Sequence, residues 1–109
     1  MTNDAEYLIC VLYNEYLNRR ADGESKSESA IFGSSAHVFE EFFAEWNIED
    51  IDETLRELHS LGYVNCLFAS NTIVCFSLTF SGIAFMEQRF GRKLDKILEA
   101  ISNLKRLLF

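Results

Sequence analysis

Few residue types in this chain could perform catalysis or bind a metal ion, and their spacing matches none of the common patterns. The three cysteines, Cys10, Cys66 and Cys75, lie in apolar runs and form no CxxC pair. The two histidines, His37 and His59, have no cysteine at zinc-ligand spacing. The acidic residues follow polar helix faces rather than forming a buried pair suited to general acid–base catalysis. We therefore predict that the protein is not an enzyme and uses no cofactor or metal ion.

The composition of the 109 residues predicts one globular domain in the cytoplasm. Hydrophobic residues make up 49% of the chain, with 10 phenylalanines and no proline, which favours a mostly helical domain with a substantial core. An odd number of cysteines without a leader sequence favours a reducing compartment. No run of about twenty apolar residues is present, so we predict no membrane span.

The net charge of −7 is distributed unevenly along the chain. Residues 35–78 hold eight acidic residues and a single base, Arg56, whereas residues 79–109 hold three acidic residues and six bases. A nucleic-acid-binding protein usually gathers positive charge on the surface that meets phosphate. The middle of this chain does the reverse, which any assignment of function has to explain.

The first third of the chain reads as a buried helix followed by a polar loop. A helix predicted from Asp4 to Arg19, capped by Asn3, is apolar almost all round in its first half and should be buried. Residues 18–30 are predicted to form a flexible loop, and residues 30–32 a short extended piece. A second helix, predicted over residues 36–46, has apolar residues at helical spacing.

The rest of the chain predicts a helix, a hairpin and two more helices. Asn47 should cap a third helix that ends at Gly62, because glycine tolerates the left-handed conformation that closes a helix. Two strand-like runs around Ser70 and Asn71 follow, and Thr79 should cap a fourth helix that ends near Phe90. Residues 92–109 form a fifth, amphipathic helix, so the expected division is a domain over residues 1–91 and a helical extension.

Two motifs in this series resemble the winged helix-turn-helix superfamily. The stretch IDETLRELHSLGYV is similar to the superfamily's reading helix, in which spaced leucines lead to Leu-Gly-Tyr at the first wing strand. The stretch LTFSGIAFME is similar to the segment that closes the wing and opens the next helix. The resemblance covers residues 3–90 and implies a mostly α fold with a small β-hairpin wing. It does not imply one function, because such modules bind either DNA or protein.

The resemblance also implies which residues form the binding face. The exposed side of the reading helix would carry Asp50, Asp52, Glu53, Arg56, Glu57 and Ser60, and the wing tip would carry Ser70 and Asn71. DNA-binding relatives place basic or uncharged polar residues on that side of the helix, and Lys or Arg at the wing. Carboxylates repel phosphate, and most non-specific DNA affinity comes from phosphate neutralisation. The plainer interpretation is a solvated helix face whose acids stabilise the helix N-terminus.

The hairpin is predicted to be apolar on both faces. A two-residue turn at Ser70 and Asn71 would place Cys66 opposite Cys75, and two free thiols are favoured over a disulfide there. One face would then show Val64, Cys66, Phe68, Ile73 and Cys75, and the other Tyr63, Leu67, Val74, Phe76 and Leu78. Both faces should be covered, by the last helix, a second subunit or a partner.

The last helix carries a heptad-like apolar seam beside a basic face. The seam comprises Leu94, Ile97, Leu98, Ile101, Leu104 and Leu108. The helix could pack on its own domain, pair with a second copy, or lie on a membrane surface or phosphate backbone. We favour a homodimer joined through this seam, with packing on the same chain as a close alternative.

Two functions from different classes follow from these patterns. One is a transcription-regulator-like protein with weak DNA binding, whose phosphate contacts come from Arg19, Arg20 and Lys26 or from the last helix. The other is a protein-interaction module that uses the acidic helix face or the apolar wing without binding DNA. The superfamily resemblance favours the first and the charge pattern favours the second.

Overall fold

A computed structural model describes all 109 residues as six helices and three strands. In chain order the elements are α1 (Asn3–Ala21), α2 (Lys26–Ser29), β1 (Ile31–Gly33), α3 (Ser35–Phe42), α4 (Ile48–Ser60), β2 (Val64–Ala69), β3 (Thr72–Leu78), α5 (Phe80–Phe90) and α6 (Leu94–Leu108). The strands form one antiparallel sheet in the order β1-β3-β2. The prediction of a mostly helical fold with a small β-hairpin is confirmed at this level.

Helix α1 forms the centre of the core, and α4, α5 and α6 all pack against it. Its buried residues lie on every side of the helix: Ala5, Tyr7, Leu8, Ile9, Cys10, Leu12, Tyr13, Tyr16 and Leu17. Burial on all sides explains why the sequence lacks a polar stripe in this region. The cap is Thr2 rather than the predicted Asn3, since Thr2 Oγ1 accepts a hydrogen bond from the Ala5 N–H at 3.1 Å.

The segment after α1 contains more helix than the sequence predicted. Residues 18–21 continue α1, and the Ser25 side chain caps the short helix α2. Arg19 ties the segment down: its guanidinium donates to the Ile31 carbonyl at 2.6 Å and lies over the Phe32 ring. Helix α3 is shorter than predicted and ends at Phe42, so that Trp46 belongs to a separate turn.

The hairpin has the predicted turn but a different register. Ser70 and Asn71 both have positive φ, at 51° and 62°, as the tightest two-residue hairpin turn requires. An irregularity next to Phe68 shifts the pairing, so that Cys66 lies opposite Phe76 and Leu67 lies opposite Cys75. The predicted Cys66–Cys75 pairing is wrong, because β3 carries one extra residue, Val74, between the pairs Phe68–Ile73 and Leu67–Cys75.

The bulge also sorts the side chains of the hairpin onto two unlike faces. The inner face, turned toward the core, carries Val64, Cys66, Phe68, Ile73, Phe76 and Leu78. The face turned away from the core carries Asn65, Leu67, Val74, Cys75 and Ser77. The predicted membership of the two faces is therefore wrong: the extra residue moves Phe76 and Leu78 inward and Cys75 outward. The outer face is mixed, with Leu67 and Val74 beside Asn65 and Ser77, and it is not covered by the chain.

The junction between the hairpin and α5 brings together the two sequence motifs that carried the superfamily resemblance. The Thr79 hydroxyl donates to the Gly62 carbonyl at 2.6 Å, and the Thr79 N–H donates to the Tyr63 carbonyl at 3.1 Å. The same hydroxyl accepts from the Gly82 N–H and so caps α5, as predicted. A Cβ on Gly82 would overlap the Tyr63 carbonyl, so only glycine allows this close approach.

Helix α6 packs along α1 and does not cover the hairpin. Ile97 and Leu104 are buried in the common core, while Ile101 and Leu108 are partly buried against it. At its end, Phe109 contacts the rings of Tyr7 and Trp46 at centroid distances of 6.1 and 6.0 Å. Much of the predicted dimerisation seam is thus occupied within the chain.

Candidate functional site

Helix α4 is positioned by a cap at its start and a buried stripe along its length. Asn47 Oδ1 accepts from the Glu49 N–H at 2.8 Å, as the sequence predicted. Ile51, Leu55 and Leu58 are fully buried and face α1 and β2. This stripe directs the opposite side of the helix into solvent. We refer to the exposed residues Glu49, Asp50, Glu53 and Ser60 as the acidic α4 face.

Arg56, the single base of α4, is held by three groups of its own chain. Its Nε pairs with Asp52 Oδ2 at 2.7 Å, and its Nη2 donates to the Asn71 carbonyl at 2.6 Å. The guanidinium also lies 4.9 Å from the centre of the Phe68 ring. The guanidinium therefore fastens the hairpin tip to α4 instead of pointing freely into solvent.

Glu57 makes structural contacts rather than belonging to an open binding surface. Its carboxylate accepts from the Thr2 N–H at 2.9 Å and from the Thr2 hydroxyl at 2.8 Å. Thr2 is the cap of α1, so the negative charge of Glu57 lies where the helix dipole favours an anion. The predicted face thus divides: Glu57 joins α4 to α1, Asp52 and Arg56 join α4 to the hairpin, and Asp50, Glu53 and Ser60 remain exposed.

His59 also contacts the hairpin. Its Nδ1 accepts from the Cys66 N–H at 3.1 Å, and its ring meets Phe68 edge-on. This hydrogen bond occupies a backbone donor at the outer edge of β2, which would otherwise be open to another strand. The histidine is therefore a structural residue in this geometry.

The buried thiols of Cys10 and Cys66 show no sign of activation. Burial raises the pKa of Cys10 to about 11 and that of Cys66 to about 11, each from an ordinary value of 9.0. A thiol with a raised pKa is a poor nucleophile at neutral pH, because only the thiolate reacts. Side chains that could hold a metal ion do not gather in groups of three or more anywhere in the structure.

The acidic α4 face borders a shallow recess at the start of α3. Its volume is about 360 Å³, and its lining is Ser35, Ile48, Glu49, Asp52 and Glu53. Three of the five lining side chains are carboxylates, and Ile48 is an exposed apolar residue. Such a recess suits a positively charged side chain with an aliphatic stem.

Most basic side chains close to carboxylates are already paired. Arg19 pairs with Glu15, Arg89 with Glu6, and Lys105 with Glu45. Four bases without an ion pair lie where α1 ends and α6 begins: Arg20, Arg92, Lys93 and Lys96. Arg20 and Arg92 line one recess of about 230 Å³, so this corner is the main free positive surface.

Along α6, the predicted dimerisation residues divide into buried and exposed sets. Ile97 and Leu104 are buried within the chain, whereas Leu94 and Leu98 remain exposed. Leu107, which was expected to widen the stripe, is 70% exposed. The exposed apolar area of α6 is therefore limited to Leu94 and Leu98, one helical turn apart, and to Leu107 near the end of the helix.

The sequence predicted a second apolar face of the hairpin but not that Phe80 and Ile31 extend it. Phe80 is 85% exposed at the first turn of α5, and Ile31 on β1 is half exposed. With the outward residues of the hairpin, they form what we call the outer sheet face: Ile31, Asn65, Leu67, Val74, Cys75, Ser77 and Phe80. Spacing gave no signal of this exposure, because Phe80 lies three residues before the buried Ile83, as a member of the same stripe would.

Comparison with known proteins identifies no relative. No protein-family model, curated protein or solved structure matches the chain. With respect to membranes, every helix falls short of the length or the apolar character that a crossing requires.

Proposed function

We propose that the chain is a small, non-enzymatic winged-helix protein. Leaving aside the short α2, the order α1, β1, α3, α4, β2, β3 and the sheet order β1-β3-β2 support this assignment. The contacts between Gly62, Tyr63 and Thr79 support it further, because they join the two motifs on which the resemblance depends. In this assignment α4 is the reading helix and the β2–β3 hairpin is the wing.

We further propose that the protein is a regulator-like interaction module in the cytoplasm whose acidic α4 face binds a basic protein surface. The observation that carries this proposal is the state of Arg56, which is engaged by Asp52, Asn71 and Phe68. The free charges of the reading helix are then all negative. A duplex brought to this face would meet carboxylates and lose the phosphate neutralisation on which affinity depends.

The chemistry of the partner follows from the recess beside α4. Glu49, Asp52 and Glu53 would accept from a lysine or arginine side chain, while Ile48 would contact its aliphatic stem. Complementary charge across such a contact mainly speeds association and selects the partner. Binding should therefore weaken as salt is added.

A second candidate function is weak DNA binding through the basic corner at the end of α1 and the start of α6. The specific observation in its favour is that Arg20, Arg92, Lys93 and Lys96 have no carboxylate partner. This surface would contact phosphate without reading sequence, because none of these residues belongs to α4 or the wing.

Capture from a nuclease-treated lysate of the source cells, with matched baits, tests the proposed partner surface. The baits are the wild-type chain, the variant Glu49→Lys/Glu53→Lys, and the control Glu99→Lys, whose exposed acid lies on α6. We expect a protein that wild type and control retain, that the double variant loses, and that salt elutes. Capture of the same proteins by all three baits would contradict the proposal.

A fluorescence anisotropy titration with random duplex at low salt separates the two candidates. We expect the wild-type chain to bind with a Kd weaker than about 1 μM, and Glu49→Lys/Glu53→Lys to bind about tenfold more tightly. Replacing Arg92, Lys93 and Lys96 by alanine should remove the residual binding. Wild-type binding tighter than about 1 μM with a steep salt dependence would favour DNA as the partner.

A further inference from the structure

We propose that two copies of this chain associate through the outer sheet face, with Phe80 of each copy seated in a groove of the other. The proposal goes beyond the partner of α4 and differs from the dimer predicted from the sequence, which used α6. The second copy would cover an apolar surface that no element of the same chain covers.

A largely uncharged groove lies beside Phe80. It has a volume of about 660 Å³ and lies where α2, β1, the base of the hairpin and the start of α5 meet. Its lining is Lys26, Ser27, Ala30, Ile31, Asn65, Ser77, Leu78, Thr79, Phe80 and Ile83. Apart from Lys26, none of these residues is charged, so an aromatic ring can enter without displacing water from a carboxylate or a second cation.

The Phe80 ring and the groove lie side by side on one surface. Phe80 projects into solvent and at the same time forms one wall of the groove. A two-fold contact requires each copy to present both halves of the match on the same patch. An exposed aromatic ring next to an apolar groove meets that requirement, and burying the ring would remove about 150–250 Å² of surface from water.

None of the residues of the outer sheet face is charged. The chain has a net charge of −7, so two copies repel one another across most surfaces. The outer sheet face is an exception, because no residue between Leu58 and Met86 carries a formal charge apart from any protonation of His59. Two copies can therefore bring these faces together without opposing carboxylates, and Lys26 would lie in the negative field of the second copy.

The acidic α4 face lies away from the proposed contact. Helix α4 packs against the inner side of the hairpin through His59 and Phe68, so its exposed side points away from the outer sheet face. A dimer joined at the outer sheet faces leaves both acidic α4 faces accessible. Assembly and partner binding can then occur together.

Sedimentation velocity over a wide concentration range tests this interface with four variants of the full chain. Phe80→Ser and Ile31→Ser change the proposed contact, whereas Leu98→Ser and Leu107→Ser remove exposed leucines from α6. We expect a wild-type dimer whose Kd rises at least about tenfold with Phe80→Ser or Ile31→Ser and changes less than about threefold with either α6 variant. Circular dichroism and Tm confirm that each variant is folded.

Three outcomes overturn the proposal. One is a wild-type chain that stays monomeric at every concentration, and another is a dimer that Leu98→Ser or Leu107→Ser disrupts while Phe80→Ser does not. The third is a dimer that none of the four variants affects. None of these outcomes bears on α4, because monomeric Phe80→Ser should still capture the partner that Glu49→Lys/Glu53→Lys loses.

Discussion

The acidic α4 face and the outer sheet face lie on opposite sides of the hairpin and differ in the chemical character of their exposed side chains. On α4 the exposed residues are carboxylates, and the single cation, Arg56, is engaged within the chain. On the sheet the exposed residues are uncharged, and apolar side chains such as Phe80 and Leu67 stand in solvent. Contact with α4 therefore depends on charge and salt, whereas contact with the sheet depends on apolar area.

The close contact between the hairpin and α5 helps to position both surfaces, and its disruption should have the largest effect on stability. Gly82→Ala would place a methyl group against the Tyr63 carbonyl at the junction of the hairpin and α5. We expect a loss of about 3 kcal/mol in the free energy of unfolding, measured by chemical denaturation, because backbone cannot move aside easily. The neighbouring exposed Ser81→Ala should change stability by less than about 0.5 kcal/mol. Equal stabilities of the two variants would show that the junction is not tight.

A second prediction concerns the core beneath both surfaces and its response to alkali. The raised pKa of Cys10 and of Cys66, about 11 in each case against 9.0 when unfolded, means that the unfolded chain releases these protons first as pH rises. The unfolded state binds fewer protons between pH 9.0 and about 11. The contribution of these two thiols to stability is therefore fully present below pH 9.0 and falls through this window, by at most about 1.4 kcal/mol per pH unit for each thiol.

Denaturation midpoints measured across this pH window test the effect. The variant Cys10→Ala/Cys66→Ala should lose most of the slope that the thiols cause, leaving the contribution of Tyr13, whose pKa burial raises to about 12. An unchanged slope in the double variant would show that the thiols ionise equally in both states.

Removal of the Arg56 side chain tests whether it holds the hairpin tip to α4. Arg56→Ala should cost about 1 kcal/mol and should speed hydrogen exchange of the backbone N–H groups around Ser70 and Asn71, because the hairpin tip loses its tie to α4. Arg56→Lys should restore little, since an ammonium cannot stack on Phe68 while donating in two directions. The exposed control Glu53→Ala should leave hydrogen exchange at the tip unaltered. Faster exchange in this control would show that a change of charge on α4, rather than loss of the Arg56 contacts, causes the effect.

The smallest effect is expected on the outer sheet face. Val74→Thr should change the stability of the monomer by less than about 0.5 kcal/mol, because Val74 is about half exposed and projects away from the core. Its neighbour Ile73 is buried, and Ile73→Val should cost about 1 kcal/mol. Comparable losses from both variants, measured by denaturation at low protein concentration, would mean that Val74 contributes to the core.

Local signals in the sequence predicted elements well and contacts poorly. Asn47, Thr79 and the turn at Ser70 and Asn71 act within a few residues of themselves, so their effects could be predicted from spacing alone. The bulge in β3 could not be predicted in this way. It depends on Phe76 and Leu78 both reaching the core, which is a property of the packed sheet.

The candidate surfaces show the same limit. Acidic residues on α4 were evident from the sequence, but the engagement of Arg56 by Asn71 and of Glu57 by Thr2 joins residues 15 and 55 positions apart. The apolar seam of α6 illustrates a further ambiguity. A stripe that packs against α1 has the same spacing as one that packs against a second copy, so periodicity could not separate the two.

The guanidinium of Arg56 has a consequence for any anion that competes for it. A phosphate that recruited this side chain would first have to release the hairpin tip, so the apparent affinity would be reduced by the cost of that opening. The hairpin tip thus acts as an internal competitor for the guanidinium, because the fold already holds the Asn71 carbonyl against it. These contacts make Arg56 less available to polyanions, while the carboxylates beside it on α4 remain accessible.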